Sequence, residues 1–119
     1  MVGIDLIEVE RIKQSLNKTG FLEKILLPSE IEYVNQFKVN MEAHVAGFFC
    51  AKEAVMKALQ DCKKISFLEI EVNHHTNGAP YIVLTGEAKR VFEKQSLIGM
   101  EISISQTDNY ATAVCILKS

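Results

Sequence analysis

Three residues combine a reactive side chain with an unexpected position in the chain: Asp5, Glu53 and Lys57. Glu53 and Lys57 are one helical turn apart in residues 46–59, a segment that is apolar on every side of a helical wheel. Asp5 interrupts an alternating apolar pattern that predicts a strand, where Asp is uncommon. A carboxylate in apolar surroundings is costly unless a cation compensates it. Two carboxylates without His or Cys partners are typical of Mg²⁺ sites that also bind substrate phosphates.

Simpler interpretations of these residues remain open on residue types alone. Glu53 and Lys57 have the favoured order for an ion pair at i, i+4, and Asp5 could cap a backbone group at the end of the strand. Lys57 could also neutralise charge on a departing phosphate. Lys63 and Lys64 suit either phosphate binding or a solvated helix end, and Lys52 is expected to be solvated.

The composition describes an ordinary globular chain of 119 residues, with 48% hydrophobic and 24% charged residues. A net charge of −2 gives no support to nucleic-acid binding. No apolar run is long enough to span a membrane, and the N-terminus lacks the features of a signal peptide. Three scattered cysteines form no metal-ligand pair and suit a reducing cytoplasm. We therefore expect one cytoplasmic domain over residues 1–119, small enough that an active site shared between subunits is plausible.

The histidines do not indicate a catalytic or metal site, and common nucleotide-binding motifs are absent from the sequence. His44, His74 and His75 do not have the spacing of a metal triad or of a Cys/His pair, and the sequence contains no P-loop and no dinucleotide-binding glycine motif.

Hydrophobic periodicity predicts an α+β fold, a mostly antiparallel sheet with helices packed on it, in the order β-α-α-α-β-β-α-β-β. Strands are predicted at residues 1–9, 65–73, 81–84, 100–107 and 110–117. Helices are predicted at residues 10–18, 28–37, 41–61 and 86–97, with a short helical turn at 21–27. Ser29 and Glu32 suggest a capping box at the start of the second helix. Asn77 and Gly78 predict the hairpin turn between the second and third strands.

Two motifs resemble those of the holo-acyl-carrier-protein synthases. They are residues 3–12 (GIDLIEVERI) and residues 51–59 (AKEAVMKAL), at the spacing that is usual in that family. Residues 66–70 (SFLEI), 77–80 (NGAP), 103–105 (SIS) and 110–111 (YA) match later blocks of the family in order. The resemblance covers essentially the whole chain.

The resemblance implies the 4′-phosphopantetheinyl transferase fold and activity. It implies Mg²⁺ held by Asp5 and Glu53, with Glu53 and Lys57 as catalytic residues. The coenzyme A residues it implies are Lys57, Lys63, Lys64, Asn77, Gly78, Pro80, Ser105, Gln106 and Thr107. It places acyl carrier protein against Arg11, Phe21 and Lys24, within a stretch of net charge +2 that suits an acidic partner. It also implies a homotrimer with active sites between neighbouring subunits.

This chain departs from the family pattern in three places. Phe48 stands where the family usually has Arg, and Gln106 where it usually has His. The glycine-rich turn that the family has before Ile65 is shortened to residues 60–64.

The expected reaction is attack by a carrier-protein serine on the β-phosphate of coenzyme A, which gives holo-acyl carrier protein and adenosine 3′,5′-bisphosphate. Either Glu53 or a water molecule on the metal would accept the proton of the serine. One alternative is a non-catalytic module of the same fold that binds coenzyme A or the carrier protein. A third hypothesis is a structural protein in which Glu53 and Lys57 form only an ion pair.

Overall fold

The computed structural model describes residues 1–61 and 64–119 of the chain. Its strands are β1 (Val2–Glu8), β2 (Ile70–His74), β3 (Pro80–Leu84), β4 (Gly99–Gln106) and β5 (Tyr110–Lys118). Its helices are α1 (Val9–Leu16), α2 (Phe21–Ile25), α3 (Pro28–Val34), α4 (Met41–Leu59) and α5 (Gly86–Lys94). The predicted α+β class and the predicted order of elements are confirmed. None of the helices in these two ranges is both long and apolar enough to cross a bilayer.

The antiparallel pairing of the strands is as predicted, but the described strands form two sheets rather than the single sheet that was predicted. The larger sheet has the order β1-β5-β4, and β2 pairs with β3 in a hairpin. In the register of β1 and β5, Asp5 lies opposite Ala113 on the central strand. The predicted turn of the hairpin is confirmed, because Gly78 adopts a φ of 91° there, which glycine accommodates without strain.

Helix α4 is the core helix of the structure, and 13 of its 19 residues are buried. It lies directly across β1 and β5. The α4 backbone and β1 come closest at Gly3, where the absence of a side chain permits the contact. A Cβ atom at Gly3 would overlap the Ala54 carbonyl and lie 2.5 Å from the Ala58 nitrogen, and both atoms belong to the α4 backbone. This close crossing brings Asp5, two residues further along β1, beside the face of α4 that carries Glu53 and Lys57.

Two local predictions were wrong. The strand predicted from residue 65 begins only at Ile70, and Phe67–Glu69 forms a 3-10 turn. In this turn Ser66 Oγ accepts a hydrogen bond from the Leu68 N–H, and Glu69 Oε1 accepts one from the Ser66 N–H. Polar side chains that satisfy nearby backbone groups in this way favour a turn over a strand.

The start of α3 also differs from the prediction. The cap is made by Glu30 rather than by Ser29 and Glu32, since Glu30 Oε1 accepts a hydrogen bond of 2.7 Å from the Leu27 N–H. Pro28 occupies the first helical position, where its missing N–H costs nothing.

Candidate active site

Asp5 and Lys57 form the first pair of the candidate site. Lys57 Nζ donates to Asp5 Oδ1 and to the Ile4 carbonyl, both at 3.1 Å. The side chain of Asp5 is 16% exposed and that of Lys57 is 48% exposed, so the pair lies at the protein surface. The positive charge of Lys57 thus compensates the negative charge of Asp5, and the third N–H donor of the ammonium group faces outward.

Glu53 is the uncompensated member of the cluster. It lies one turn before Lys57 on α4, and within the described residues it has neither a hydrogen bond nor an ion pair. The interpretation of Glu53 and Lys57 as a simple ion pair was wrong, because Lys57 pairs with Asp5 instead. Burial raises the pKa of Glu53, and the negative charge of Asp5 raises it further, whereas Lys57 opposes both effects. The two carboxylates therefore repel each other across the crossing of β1 and α4.

Cys50 lies beneath the two carboxylates. It is fully buried, one turn before Glu53, and its Sγ donates to the Ala111 carbonyl at 3.4 Å. Burial raises the pKa of Cys50 to about 12, with further contributions from Asp5 and Glu53. Because the thiolate is the nucleophilic form of cysteine, Cys50 is an inert, protonated part of the site floor.

The arrangement of Asp5 and Glu53 fits a hard divalent cation. Both are oxygen donors on rigid elements, and Glu53 makes no ion pair in the described part of the chain. The residues that are described hold no group of three or more His, Cys, Asp or Glu side chains suited to a metal. Two carboxylates are nevertheless enough for Mg²⁺, which commonly takes one or two from the protein and fills its other positions with water and phosphate.

The raised pKa of Glu53 predicts how stability depends on pH. Between the ordinary value of 4.5 and the raised value, native Glu53 holds a proton that the unfolded chain releases. The stability of the metal-free protein therefore falls as pH rises through this window. Glu53→Gln removes the free-energy cost of a charged, partly buried carboxylate next to Asp5. We therefore expect a higher Tm than the wild type at pH 7.5 in EDTA. The difference should vanish below about pH 4.5. Thermal melts at both pH values measure it, and equal Tm values at pH 7.5 would contradict the assignment.

Lys52 occupies a different environment from the one expected. The prediction of a solvated side chain was wrong: Lys52 is completely buried and pairs with Glu30, which is itself only 1% exposed. The sequence contained a usable signal, because Lys52 interrupts the same apolar segment that made Glu53 notable. The partner could not be found in this way, since Glu30 lies in an ordinary polar helix start.

Two of the three predicted carrier-protein residues border one groove. Arg11 and Phe21 line a cavity of about 320 Å³ together with Ile7, Lys18 and Phe49. Ile7 is two residues beyond Asp5, and Phe49 lies one turn before Glu53, so the groove adjoins the carboxylates. Lys24 does not line this cavity and is exposed on α2. We call this cavity the α1–α2 groove.

The predicted coenzyme A residues fall into separate groups. Gly78, Pro80 and Gln106 line a cavity of about 180 Å³, whose walls include the aromatic residues Tyr33, Phe48 and His74. Phe48 is buried and stacks on Tyr33, with ring centroids 5.5 Å apart. Gln106 lies against Gly47, where a Cβ atom would come within 2.5 Å of the Gln106 amide oxygen.

The other residues assigned to coenzyme A lie outside this cavity. Asn77 Oδ1 accepts from the Ala79 N–H in the hairpin turn, and Thr107 Oγ1 accepts from the Tyr110 N–H at the end of β4. Ser105 and Lys64 are exposed. Lys63 lies outside the described residues.

Glu53 and Lys57 lie further along α4 than the aromatic cavity does. Phe48, which lines the cavity, is five residues from Glu53 and nine residues from Lys57, or about 8 Å and about 14 Å along the helix at a rise of about 1.5 Å per residue.

Comparisons with known proteins place this architecture in a family. The sequence profile of the 4′-phosphopantetheinyl transferase superfamily matches residues 1–115. The holo-[acyl-carrier-protein] synthase of Caldanaerobacter subterraneus subsp. tengcongensis is 42% identical over 117 residues, which cover 97% of this chain and 91% of that protein.

Solved structures agree with the sequence comparison. The Helicobacter pylori holo-[acyl-carrier-protein] synthase, solved in complex with coenzyme A, superposes with a TM-score of 0.84 at 34% identity and covers 99% of this chain and 100% of its own. The Bacillus anthracis synthase, in complex with CoA (3′,5′-ADP), gives a TM-score of 0.82 at 35% identity, covering 99% and 95%. This chain therefore belongs to the 4′-phosphopantetheinyl transferase superfamily and, within it, to the holo-[acyl-carrier-protein] synthases, a family of enzymes.

Proposed function

We propose that this protein transfers the 4′-phosphopantetheine group of coenzyme A to a serine of apo-acyl carrier protein, in a Mg²⁺-dependent reaction. The products are holo-acyl carrier protein and adenosine 3′,5′-bisphosphate. The observation that carries the proposal is Glu53, a partly buried carboxylate that faces Asp5 beside the cationic Lys57, which pairs with Asp5 and not with Glu53. We further propose that residues 1–119 form a single transferase domain.

The bond changes assign a task to each side chain. The serine oxygen attacks the β-phosphorus, a new P–O bond forms, and the bond from the β-phosphorus to the bridging oxygen breaks. Negative charge then develops on the departing bisphosphate, where the Lys57 ammonium stabilises it. The Glu53 carboxylate accepts the serine proton, either directly or through a water molecule.

Asp5 and Glu53 are the residues that would hold Mg²⁺. The metal supplies Lewis-acid polarisation and charge neutralisation at the pyrophosphate. Lys57 keeps Asp5 oriented, because its bonds to Asp5 and to the Ile4 carbonyl fix both the side chain and its strand. Cys50 beneath them excludes water from the inner side of the carboxylates.

Coenzyme A is proposed to contact the aromatic cavity through Gly78, Pro80 and Gln106, and to reach Lys57 with its pyrophosphate. Asn77, Ser105, Thr107, Lys63 and Lys64 are assigned to the same ligand from the family resemblance. We propose that the site is composed of two neighbouring subunits, as the family resemblance implies.

An exposed apolar face supports a homotrimer. Val2, Ile4 and Leu6 alternate along the edge strand β1 and are each more than 60% exposed, and Ile116 on β5 is 46% exposed. Contiguous apolar surface of this kind is typical of subunit interfaces. Sedimentation should give three times the mass of one chain, whereas a monomer at assay concentrations would refute the shared site.

The carrier protein is proposed to dock on the α1–α2 groove, with Arg11, Phe21 and Lys24 as contacts. The groove combines apolar walls with cationic residues, which suits an acidic helical surface. We also propose a cytoplasmic location, which is supported by the free thiols of the two described cysteines, Cys50 and Cys115.

Charge reversal at Lys24 tests the docking assignment. Lys24→Glu is expected to raise the KM for the carrier protein about three- to tenfold at low salt, because it places like charges opposite each other. The KM for coenzyme A should not change, and the effect should shrink at high salt. Lys94→Glu on α5 is the matched control for net charge. Equal KM values for the two variants would remove Lys24 from the docking surface.

The proposed reaction is tested by mass spectrometry of the carrier protein. The purified enzyme, apo-acyl carrier protein, coenzyme A and Mg²⁺ should convert the carrier to the mass of its phosphopantetheinylated form. Binding of both partners without a mass gain would instead indicate the non-catalytic module.

A further inference from the structure

Lys52 is the centre of a buried polar cluster on α4. Its Nζ donates to the Ile25 carbonyl at 2.7 Å, to Glu30 Oε1 at 2.7 Å and to the Phe67 carbonyl at 3.1 Å. These contacts use all three donors of the ammonium group. Burial lowers the pKa of Lys52, and the charge of Glu30 opposes that effect. One side chain of α4 thus holds the last residue of α2, the first turn of α3 and the 3-10 turn.

Glu30 completes the cluster from the opposite side. In addition to Lys52, its oxygens accept from the Leu27 N–H and from the Val72 N–H, each at 2.7 Å. Neither side chain retains an unsatisfied buried polar atom within the described residues. A fully satisfied polar cluster of this kind fixes one relative placement of the elements that it joins.

The cluster adjoins the α1–α2 groove through both α4 and α2. In the sequence of α4, Lys52 follows Phe49, which lines the groove, by three residues and directly precedes Glu53, which faces Asp5. On α2, the Ile25 carbonyl that Lys52 holds is one turn from Phe21, on the other wall of the groove. The bond between Lys52 and Ile25 therefore fixes the width of the groove and its distance from Glu53.

We infer that Lys52 is a positioning residue that sets the α1–α2 groove relative to the catalytic carboxylates. Its bond to Ile25 places Phe21 so that a carrier protein docked there presents its serine to Glu53. This inference rests on the proposed function, since it assumes that the groove receives the carrier.

A charge-balanced double variant isolates this role. Lys52→Met/Glu30→Gln removes both charges together, so no uncompensated buried charge remains and the fold is expected to persist. Glu87→Gln/Arg90→Met is the matched control, because it removes the exposed ion pair of α5, which does not line the groove. The steady-state KM for carrier protein and the KM for coenzyme A are measured separately for each protein.

The expected result is a KM for the carrier that rises about tenfold in the double variant, with the KM for coenzyme A within about twofold of the wild type. Glu87→Gln/Arg90→Met should keep the wild-type carrier KM. A purely structural role would lower the active fraction and leave both KM values unchanged, which would overturn the inference. A wild-type enzyme without transfer activity would instead refute the proposed function.

Coupling to Phe21 gives a second, independent readout. Phe21→Ala should raise the carrier KM by a smaller factor in the double variant than in the wild type, because Phe21 is already displaced there. If Phe21→Ala raises the carrier KM by the same factor in the double variant and in the wild type, the inference is contradicted. If the double variant is unfolded, Lys52→Arg decides the question, since it keeps the charge but not the three ammonium contacts. A raised carrier KM in that variant supports the inference, and an unchanged one overturns it.

Discussion

Glu53→Gln is expected to reduce phosphopantetheinyl transfer by about 10²- to 10⁴-fold. The substitution keeps the size of the side chain and removes both the negative charge and the proton acceptor that faces Asp5. Mg²⁺ should no longer raise the affinity for coenzyme A, because a single carboxylate remains. Single-turnover transfer and coenzyme A titration with and without Mg²⁺ measure the two effects.

Glu42→Gln is the matched control for this substitution. It makes the same chemical change on the same helix, in the first turn of α4 and away from Asp5. It should retain wild-type transfer and wild-type dependence on Mg²⁺. A Glu53→Gln enzyme with more than about a tenth of wild-type activity would exclude Glu53 as both base and metal ligand.

The largest effect on stability is expected at Glu30. Glu30→Leu leaves the Lys52 ammonium buried without its counter-charge, and removing one partner of a buried ion pair costs about 3–5 kcal/mol. For a chain of this size, that corresponds to a fall in Tm of more than about 10 °C. Urea denaturation at a fixed protein concentration measures the loss, since subunit association also contributes to stability.

The double variant Lys52→Met/Glu30→Leu provides the control for Glu30→Leu. It removes both charges and should recover part of the lost stability, whereas the Leu27 and Val72 N–H groups lose their acceptor in both variants. If Glu30→Leu alone changes the free energy of unfolding by less than about 1 kcal/mol, the buried ion pair does not have the role that its geometry indicates.

The sequence was informative where a residue conflicted with its surroundings. Asp5 in a strand pattern and Glu53 in an apolar helix could be identified as candidate ligands, because burial of charge is unfavourable wherever the segment lies. That Lys57 would pair with Asp5 rather than with Glu53 could not be predicted. The helical spacing favoured Glu53, and only the close crossing at Gly3 brings the strand acid nearer.

The missed features depend on contacts between distant segments. Lys52 and Glu30 are separated by 22 residues, and their pairing requires α3 to pack on α4. Residues 65–69 contain apolar positions at strand-like spacing, yet Ser66 and Glu69 satisfy the local backbone and produce a 3-10 turn. The helices, the hairpin and the order of elements followed from periodicity and turn residues, which are local properties.

The most direct test of the account is the mass of apo-acyl carrier protein after incubation with this enzyme and coenzyme A, in Mg²⁺ and in EDTA. The account predicts that the carrier gains one phosphopantetheine group in Mg²⁺ and that EDTA or Glu53→Gln abolishes the gain. An unmodified carrier in Mg²⁺, in a sample that an authentic holo-[acyl-carrier-protein] synthase modifies fully, would contradict it.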